Sequence, residues 1–388
     1  MKIAIISFFH TESSLCLAKY MAKQGVTVDY YFITDFVHDV GFQPGIKYEN
    51  ASKLLGLNRL SKDDAPEIIN YTEGLQVTYN LLRLFWFSNK SKPVNYFIWK
   101  FAIRHIRKQH YDAIDIVGQW PWVKYLHDGL RDEKIVHTLH EVGSHQNGNM
   151  STPLLKAIIK DRTPIIFHSK STLSRFLAIE GTTEIRTGII PFGKFETALL
   201  YERDVEIKHN LDLSKPTFLF YGYIKPYKGL DILAESMKLL TPVHHQFNLI
   251  VAGGGQDINI SYFKSLRNCY VLNRFLTNDE MMKLIRISSV VVLPYHSASQ
   301  SGIIPTCFML GKPVIATKVG AFVENVKDGY NGILVEPESS KGFAEAMHKV
   351  YGTPDMIKKL SDGAFRYGHG DDYDWNTIAQ QTINFLMK

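Results

Sequence analysis

The sequence predicts an α/β chain built from two doubly wound parallel sheets, and three observations carry that prediction. The first is the stretch 290–335. Val290–Leu293 is a β-branched run ended by Pro294, as a buried strand is. A loop of small polar residues follows, from His296 to Gly302. The apolar segment 303–310 then stops at Gly311, as a helix does. Residues 313–317 read as the next strand, and Gly320 leads into a further helix near Phe322. Strand, loop, helix repeated with short loops is the pattern of a doubly wound sheet, whose ligands sit beyond the carboxyl ends of the strands. The second observation is that the chain opens with its own β-α-β unit. The third is length: 388 residues suggest two domains or more.

The elements follow in order. Residues 2–9 read as a strand, Ser13 as the cap of a helix ending before Gly25, and 26–33 as the second strand. The turn between them, His10 to Ser14, has no G-x-G-x-x-G, which argues against an ordinary dinucleotide-binding half. From Leu75 to His110 there is no Asp or Glu, while Arg83, Lys90, Lys92, Lys100, Arg104, Arg107 and Lys108 are basic. Phe85, Trp86, Phe87, Tyr96, Phe97, Trp99 and Phe101 are interleaved with them. A helix with such a face suits an anionic lipid surface; a pair of core helices with a solvated basic side is the plainer alternative. No recognition motif accompanies the charge, so nucleic acid is not an expected partner.

Strands are expected at 112–117, 134–139, 165–168 and 189–192. The second of these runs into His140 and Glu141, where a general base, a sugar-hydroxyl donor and a satisfied loop histidine all remain open readings. After a polar linker at 201–216, Thr217–Tyr221 is a strand leading to Gly222, Lys225, Lys228 and Gly229 before a helix. Two lysines between glycines at a helix start suit a diphosphate, and would equally be solvated turn lysines. The strand at 247–252 ends in three glycines, and Thr277 with Glu280 forms a capping box. At the loop after Leu293, Ser299, Ser301 and Gly302 precede a helix whose free N–H groups would suit a phosphate; an ordinary serine-capped helix start is the other reading.

Composition narrows the class. With 45% hydrophobic and 21% charged residues, a globular chain with a core in each domain is expected. No apolar run reaches spanning length, and the opening MKIAIISFF enters a strand rather than a signal peptide. Cys16, Cys269 and Cys307 lack metal spacing, so reduced thiols and a cytoplasmic location are expected. The net charge of +6 is carried mostly before Gly193, which suggests an anionic partner for the N-terminal half.

Taken together, YGYIKPYKGLDIL, NLIVAGGG, LNRFLTNDEM and the run from LPYHSASQSG to NGILVEP resemble the retaining GT-B glycosyltransferases of family 4. TLHEVGSH, IIFHSKSTLSRFL, IIPFGKFE and a closing helix opened by DYDW extend the likeness to the whole chain. The resemblance implies two Rossmann-like domains facing across a cleft. Residues 1–195 would form an acceptor domain, 196–370 a nucleotide-sugar domain, and 371–388 a helix returning to the first. It implies that Lys228 binds the diphosphate, with Lys225 standing in for a partner arginine whose place Tyr223 takes. Backbone at Ser301, Gly302, Ile303 and Ile304 would hold the same diphosphate beside Gly222. Arg274, Phe275 and Leu276 would flank the base, and His140 would approach the sugar. The family's two glutamates fall on Ala298 and Thr306, so Ser299 or Gln300 would replace the first.

The implied reaction is metal-independent transfer of a sugar, with retention, from a nucleotide diphosphate sugar to a cell-surface polysaccharide or lipid-linked glycan. No cofactor beyond the donor is expected, and no metal: Asp372 and Asp374 lie in a turn expected to be exposed. The enzyme would be cytoplasmic, held peripherally at the inner face of the cell membrane by residues 83–108. A GT-B sugar-nucleotide epimerase and a non-catalytic sugar-nucleotide-binding protein are the competing readings.

Overall fold

The computed structural model describes residues 1–8, 10–35, 55–85, 92–120, 122–142, 153–201, 204–207, 211–241, 243, 246–299 and 302–388. Gln300, Ser301, Trp86, Phe87, Lys90 and residues 41–54 and 143–150 lie outside these residues. The chain forms two compact units, Met1–Tyr201 with Asp374–Lys388, and Glu202–Tyr373. The first boundary lies six residues beyond the expected 195, because a 3-10 turn at Glu196–Tyr201 is bound to the first unit. There Thr197 Oγ1 donates to the Glu12 carbonyl (3.0 Å), and Tyr20 Oη donates to the Glu196 carboxylate (2.9 Å).

The N-terminal unit runs β1 (Lys2–Phe8), α1 (Thr11–Lys23), β2 (Thr27–Asp35), β3 (Gly56–Arg59), α2 (Pro66–Tyr71), β4 (Val77–Leu84), α3 (Lys92–Arg107) and β5 (Ala113–Val117). It continues α4 (Val123–Leu130), β6 (Ile135–Leu139), α5 (Pro153–Asp161), β7 (Ile165–Phe167), α6 (Lys170–Leu177) and β8 (Thr187–Ile189). Its eight strands lie in the order β3-β4-β2-β1-β5-β6-β7-β8, parallel except for β3. Alternation along β1 separates two cores. Ile3 and Ile5 face one, filled by Leu15, Ala18 and Met21 of α1; Ala4, Ile6 and Phe8 face the other, filled by Trp99 of α3 and Leu126 of α4. Each buried Ile, Leu, Met or Phe among them contributes roughly 1.5–3 kcal/mol.

Three expectations change here. The helix α1 starts at Thr11 with His10 at its N-cap, so Ser13 lies inside it, donating to the His10 carbonyl like its neighbour Ser14 (2.6 Å for Ser14). The last strand is Thr187–Ile189 rather than 189–192: Ile190 makes the final ladder bond to Phe167 (2.8 Å), and Pro191 then has no N–H to offer. The acid-free segment is neither one interfacial helix nor two core helices. Its first part is β4, in which Arg83 is buried, and only its second part is helical.

The C-terminal unit runs β9 (Thr217–Tyr221), α7 (Leu230–Leu239), β10 (Asn248–Ala252), α8 (Ile260–Ser265), β11 (Cys269–Leu272), α9 (Asn278–Ile287) and β12 (Val290–Leu293). Then come α10 (Ile303–Met309), β13 (Val314–Thr317), α11 (Phe322–Asn325), β14 (Gly332–Val335), α12 (Ser340–Gly352) and α13 (Pro354–Gly368). The sheet is entirely parallel, in the order β11-β10-β9-β12-β13-β14. In such a sheet the chain reverses its direction of winding between the two central strands, here β9 and β12, and ligands collect there. The last helix, α14 (Trp375–Met387), belongs to the first unit. Asp374 caps it, accepting from the Thr377 N–H (3.1 Å), so this carboxylate is a helix cap. Trp375 is buried there and donates from Nε1 to the Lys194 carbonyl (2.6 Å).

Candidate functional site

In the C-terminal unit the turn after β9 and the loop after β12 sit side by side at the reversal point. They are packed backbone against backbone. A methyl group on Gly229 would stand 1.8 Å from the Pro294 carbonyl oxygen, and the His296 N–H donates to the Tyr227 carbonyl (2.8 Å). Gly222 and Gly229 both take positive φ, 115° and 68°, which only glycine does without strain.

That turn aims Lys228 inward. Its ammonium lies 2.7 Å from where a Cβ on Gly222 would stand, and the Ile303 side chain of α10 is 3.8 Å from the same point. The ammonium also lies 5.1 Å from the Tyr295 ring centroid. Lys228 is 9% exposed, and burial pushes its pKa below the usual lysine value. A buried cation beside a glycine and the start of a helix is the arrangement a phosphate fits, since the first N–H groups of a helix have no intrahelical acceptor. Lys225 is placed differently: its side chain is exposed, with the ammonium 5.5 Å from the Tyr223 ring centroid.

The other expected donor residues divide. Ser299 and Thr306 are buried, and Thr306 Oγ1 donates to the Gly302 carbonyl (3.1 Å), bonding back along its own helix. Ile304 is buried in α10, and Gly302 is the N-cap. Ala298 is buried against Gly320, which packs on its carbonyl. The glycine run after β10 abuts the segment carrying Arg274 and Phe275: a Cβ on Gly254 would meet the Phe275 nitrogen at 3.3 Å. Phe275 is 57% exposed and Leu276 half-buried, so one ring stands free beside the glycines. Arg274 makes a two-pronged ion pair with Glu280 (2.5 and 2.8 Å), which holds that carboxyl down to about 2.

In the N-terminal unit His140 follows β6 and stacks on His10, which follows β1, with ring centroids 3.4 Å apart. His168, after β7, lies 4.8 Å from His140 and stacks on Phe192 at 3.9 Å. Desolvation pushes His10 down to about 3, His168 down to about 4, and His140 well below the ordinary range, so all three are neutral. His168 Nδ1 donates to the Ile190 carbonyl (2.7 Å), which leaves Nε2 as the acceptor nitrogen. Sequence reasoning found His140 but missed His10 and His168. The available signal was positional: each is the first or second residue past a strand end on one sheet.

Residues 202–366 match the family model described as glycosyl transferases group 1. The chain is 23% identical over 259 residues to an uncharacterized glycosyltransferase of Methanocaldococcus jannaschii, covering 65% of this chain and 63% of that protein. It is 28% identical over 179 residues to a D-inositol 3-phosphate glycosyltransferase of Streptomyces bingchenggensis, covering 43% of this chain and 39% of that one. The matched stretches thus span less than two thirds of these relatives. Among solved structures, Alr3699/HepE of Anabaena in complex with UDP-glucose superposes with a TM-score of 0.67 at 16% identity, covering 100% of this chain and 99% of that one. The fold is GT-B, with two Rossmann-like units, and the second of them carries the match to glycosyl transferases group 1.

Proposed function

We propose that this protein transfers a glycosyl group from a nucleoside diphosphate sugar to a cell-surface polysaccharide or lipid-linked glycan, with retention at the anomeric carbon. The observation that carries the reading is the buried Lys228 ammonium set against Gly222 at the reversal point of the sheet. Charge builds on the leaving diphosphate as the glycosidic bond breaks, and a fixed cation with oriented N–H groups lowers the energy of that charge. The turn residues Gly222 and Lys225, the α10 start and the segment 274–276 surround the nucleotide in this reading, and His140 serves the sugar. No metal or cofactor is required by this chemistry, so turnover is expected to persist in chelator.

The test is a panel of nucleoside diphosphate sugars with glycan and lipid-linked acceptors, with the anomeric configuration of the product read by NMR. A product of inverted configuration would remove the retaining mechanism. An epimerised donor formed without acceptor would make the protein an isomerase. Binding without turnover would make it a sugar-nucleotide-binding protein, the outcome that Ala298 and Thr306 would then explain.

Peripheral contact with an anionic membrane belongs to the same proposal. One side of α3 is buried through Asn95, Trp99, Ala102 and Ile106. The other shows Phe97 and Phe101, 68% and 65% exposed, beside exposed Lys100, Arg104 and Lys108. Arg107 lies on the same face, but its guanidinium is tied to Asp132 (2.8 Å). No helix among the described residues is long and apolar enough to cross a membrane. Each basic residue near an anionic surface is worth about 1 kcal/mol, so Lys100→Glu with Arg104→Glu is expected to weaken partitioning onto phosphatidylglycerol vesicles more than about tenfold. Unchanged flotation with these vesicles would remove the contact.

A further inference from the structure

The loop after β12 carries an ionisable group to which the reading above gives no role. His296 Nδ1 lies 2.5 Å from Glu338 Oε1, and its Nε2 lies 2.9 Å from Asp231 Oδ1. Asp231 is in the first turn of α7, directly after the Lys228 turn. Glu338 lies between β14 and α12 and takes a positive φ of 58°, an unusual conformation for a glutamate. The His296 main-chain N–H adds a third link, to the Tyr227 carbonyl (2.8 Å). One imidazole therefore joins three segments: the Lys228 turn with α7, the loop after β12, and the chain leaving β14.

Ionised carboxylates only accept hydrogen bonds, so a ring that meets one at each nitrogen must donate from both. Only the imidazolium does that. We propose that His296 is a protonation-dependent positioning residue of the donor site, whose imidazolium holds the loop before α10 against the turn that aims Lys228. This rests on the donor-site reading given above. Partial burial opposes the charge, but the hydrogen bonds to Glu338 and Asp231 outweigh it, and the pKa is raised above the usual histidine value. Asp231 and Glu338 are the charged groups that face the ring among the described residues. A raised folded-state pKa means the two links are complete at lower pH and are lost as pH rises through that value. Both carboxylates are more than half exposed, so screening keeps the links weak and the effect falls on loop position rather than on global stability.

The probes are UDP-glucose and GDP-mannose, whose diphosphate diesters do not titrate in the range used. Their affinity is measured calorimetrically between about pH 6 and pH 9, on either side of the ordinary histidine value. For the wild type, affinity is expected to fall about two- to fivefold as pH rises, the worth of a screened ion pair. His296→Arg stays charged and is expected to keep the low-pH affinity throughout. His296→Gln, with one donor group, is expected to be flat at the weaker value. Melting temperatures near wild type would show that both variants fold. A flat wild-type profile, or the same slope in His296→Arg, would overturn the proposal. Lys228→Ala separates the two readings. If it binds poorly while the His296 variants follow the wild-type slope, only the positioning role fails. If it binds as well as wild type, or if neither sugar nucleotide binds the wild type, the donor site itself is misplaced and the positioning role falls with it.

Discussion

Replacing Lys228 by alanine is expected to lower turnover by about 10²- to 10³-fold, the loss found when one preorganised charge-stabilising group is removed. The side chain reaches Gly222 and the start of α10 from a buried position. Its removal takes away the nearest cation from the place where a leaving diphosphate gathers charge. The loss should fall on kcat at saturating donor as well as on kcat/KM, because the ammonium acts most strongly on the charge of the transition state. A second variant separates catalysis from folding. Burial depresses the Lys228 pKa, so the charged form is penalised in the folded protein. The penalty holds at neutral pH and is relieved only as pH rises through the depressed folded value toward the unfolded one. Lys228→Met keeps the volume of the stem and removes the charge. It is expected to leave the midpoint of thermal unfolding unchanged or higher while losing as much turnover as Lys228→Ala. A methionine variant that retains near-normal kinetics would show that this lysine plays no part in the reaction.

Most of the C-terminal unit was legible in the sequence, though the short helix Ile260–Ser265 and the edge strand Gly332–Val335 were not. Thr217–Tyr221 and Val290–Leu293 are strands with the expected bounds, and Thr277 with Glu280 makes the expected capping box. Such elements are short, buried on both faces and closed by Pro, Gly or a cap, so local chemistry alone marks their ends. The strand Val77–Leu84 was not legible, because VTYNLLRL does not alternate cleanly between apolar and polar residues. Its place beside β2 depends on pairing with residues about fifty positions away. The edge strands Gly56–Arg59 and Gly332–Val335 are short, open on a glycine and lack a run like the consecutive valines that mark Val290–Leu293.

The site was legible in kind but not in detail. Two lysines between glycines announced an anion-binding turn, yet spacing could not say that Lys228 is buried while Lys225 is exposed against Tyr223. Between the two lies the 3-10 turn Pro226–Lys228, closed by Gly229 in the left-handed region. The His10, His140 and His168 stack was likewise beyond reach. These residues are separated by more than twenty positions each and meet only because β1, β6 and β7 lie in one sheet. The same holds for His296, whose carboxylate partners stand 65 and 42 positions away.

Gly229→Ala is expected to damage both stability and donor binding, although no side-chain function is removed. Two terms combine. A left-handed φ of 68° disfavours any residue with a Cβ by roughly 1–2 kcal/mol. The new methyl group would also stand 1.8 Å from the Pro294 carbonyl oxygen and 2.7 Å from its carbon, both main-chain atoms at the end of a buried strand. Neither can swing aside as a side-chain tip would, so the turn must move away from β12. That movement breaks the His296-to-Tyr227 bond and withdraws the Lys228 ammonium from Gly222. The combined destabilisation is expected to exceed about 3 kcal/mol, in the range reserved for mutations with a specific steric cause. Gly329→Ala supplies the comparison within the same unit. Its φ is nearly the same, 72°, and nothing lies within 4 Å of its Cβ position, so it carries the conformational term without the clash. Denaturant unfolding and sugar-nucleotide titration of the two variants together isolate the contact. A deficit in Gly229→Ala no larger than in Gly329→Ala would mean that close approach of the two backbones is not what holds the Lys228 turn in place.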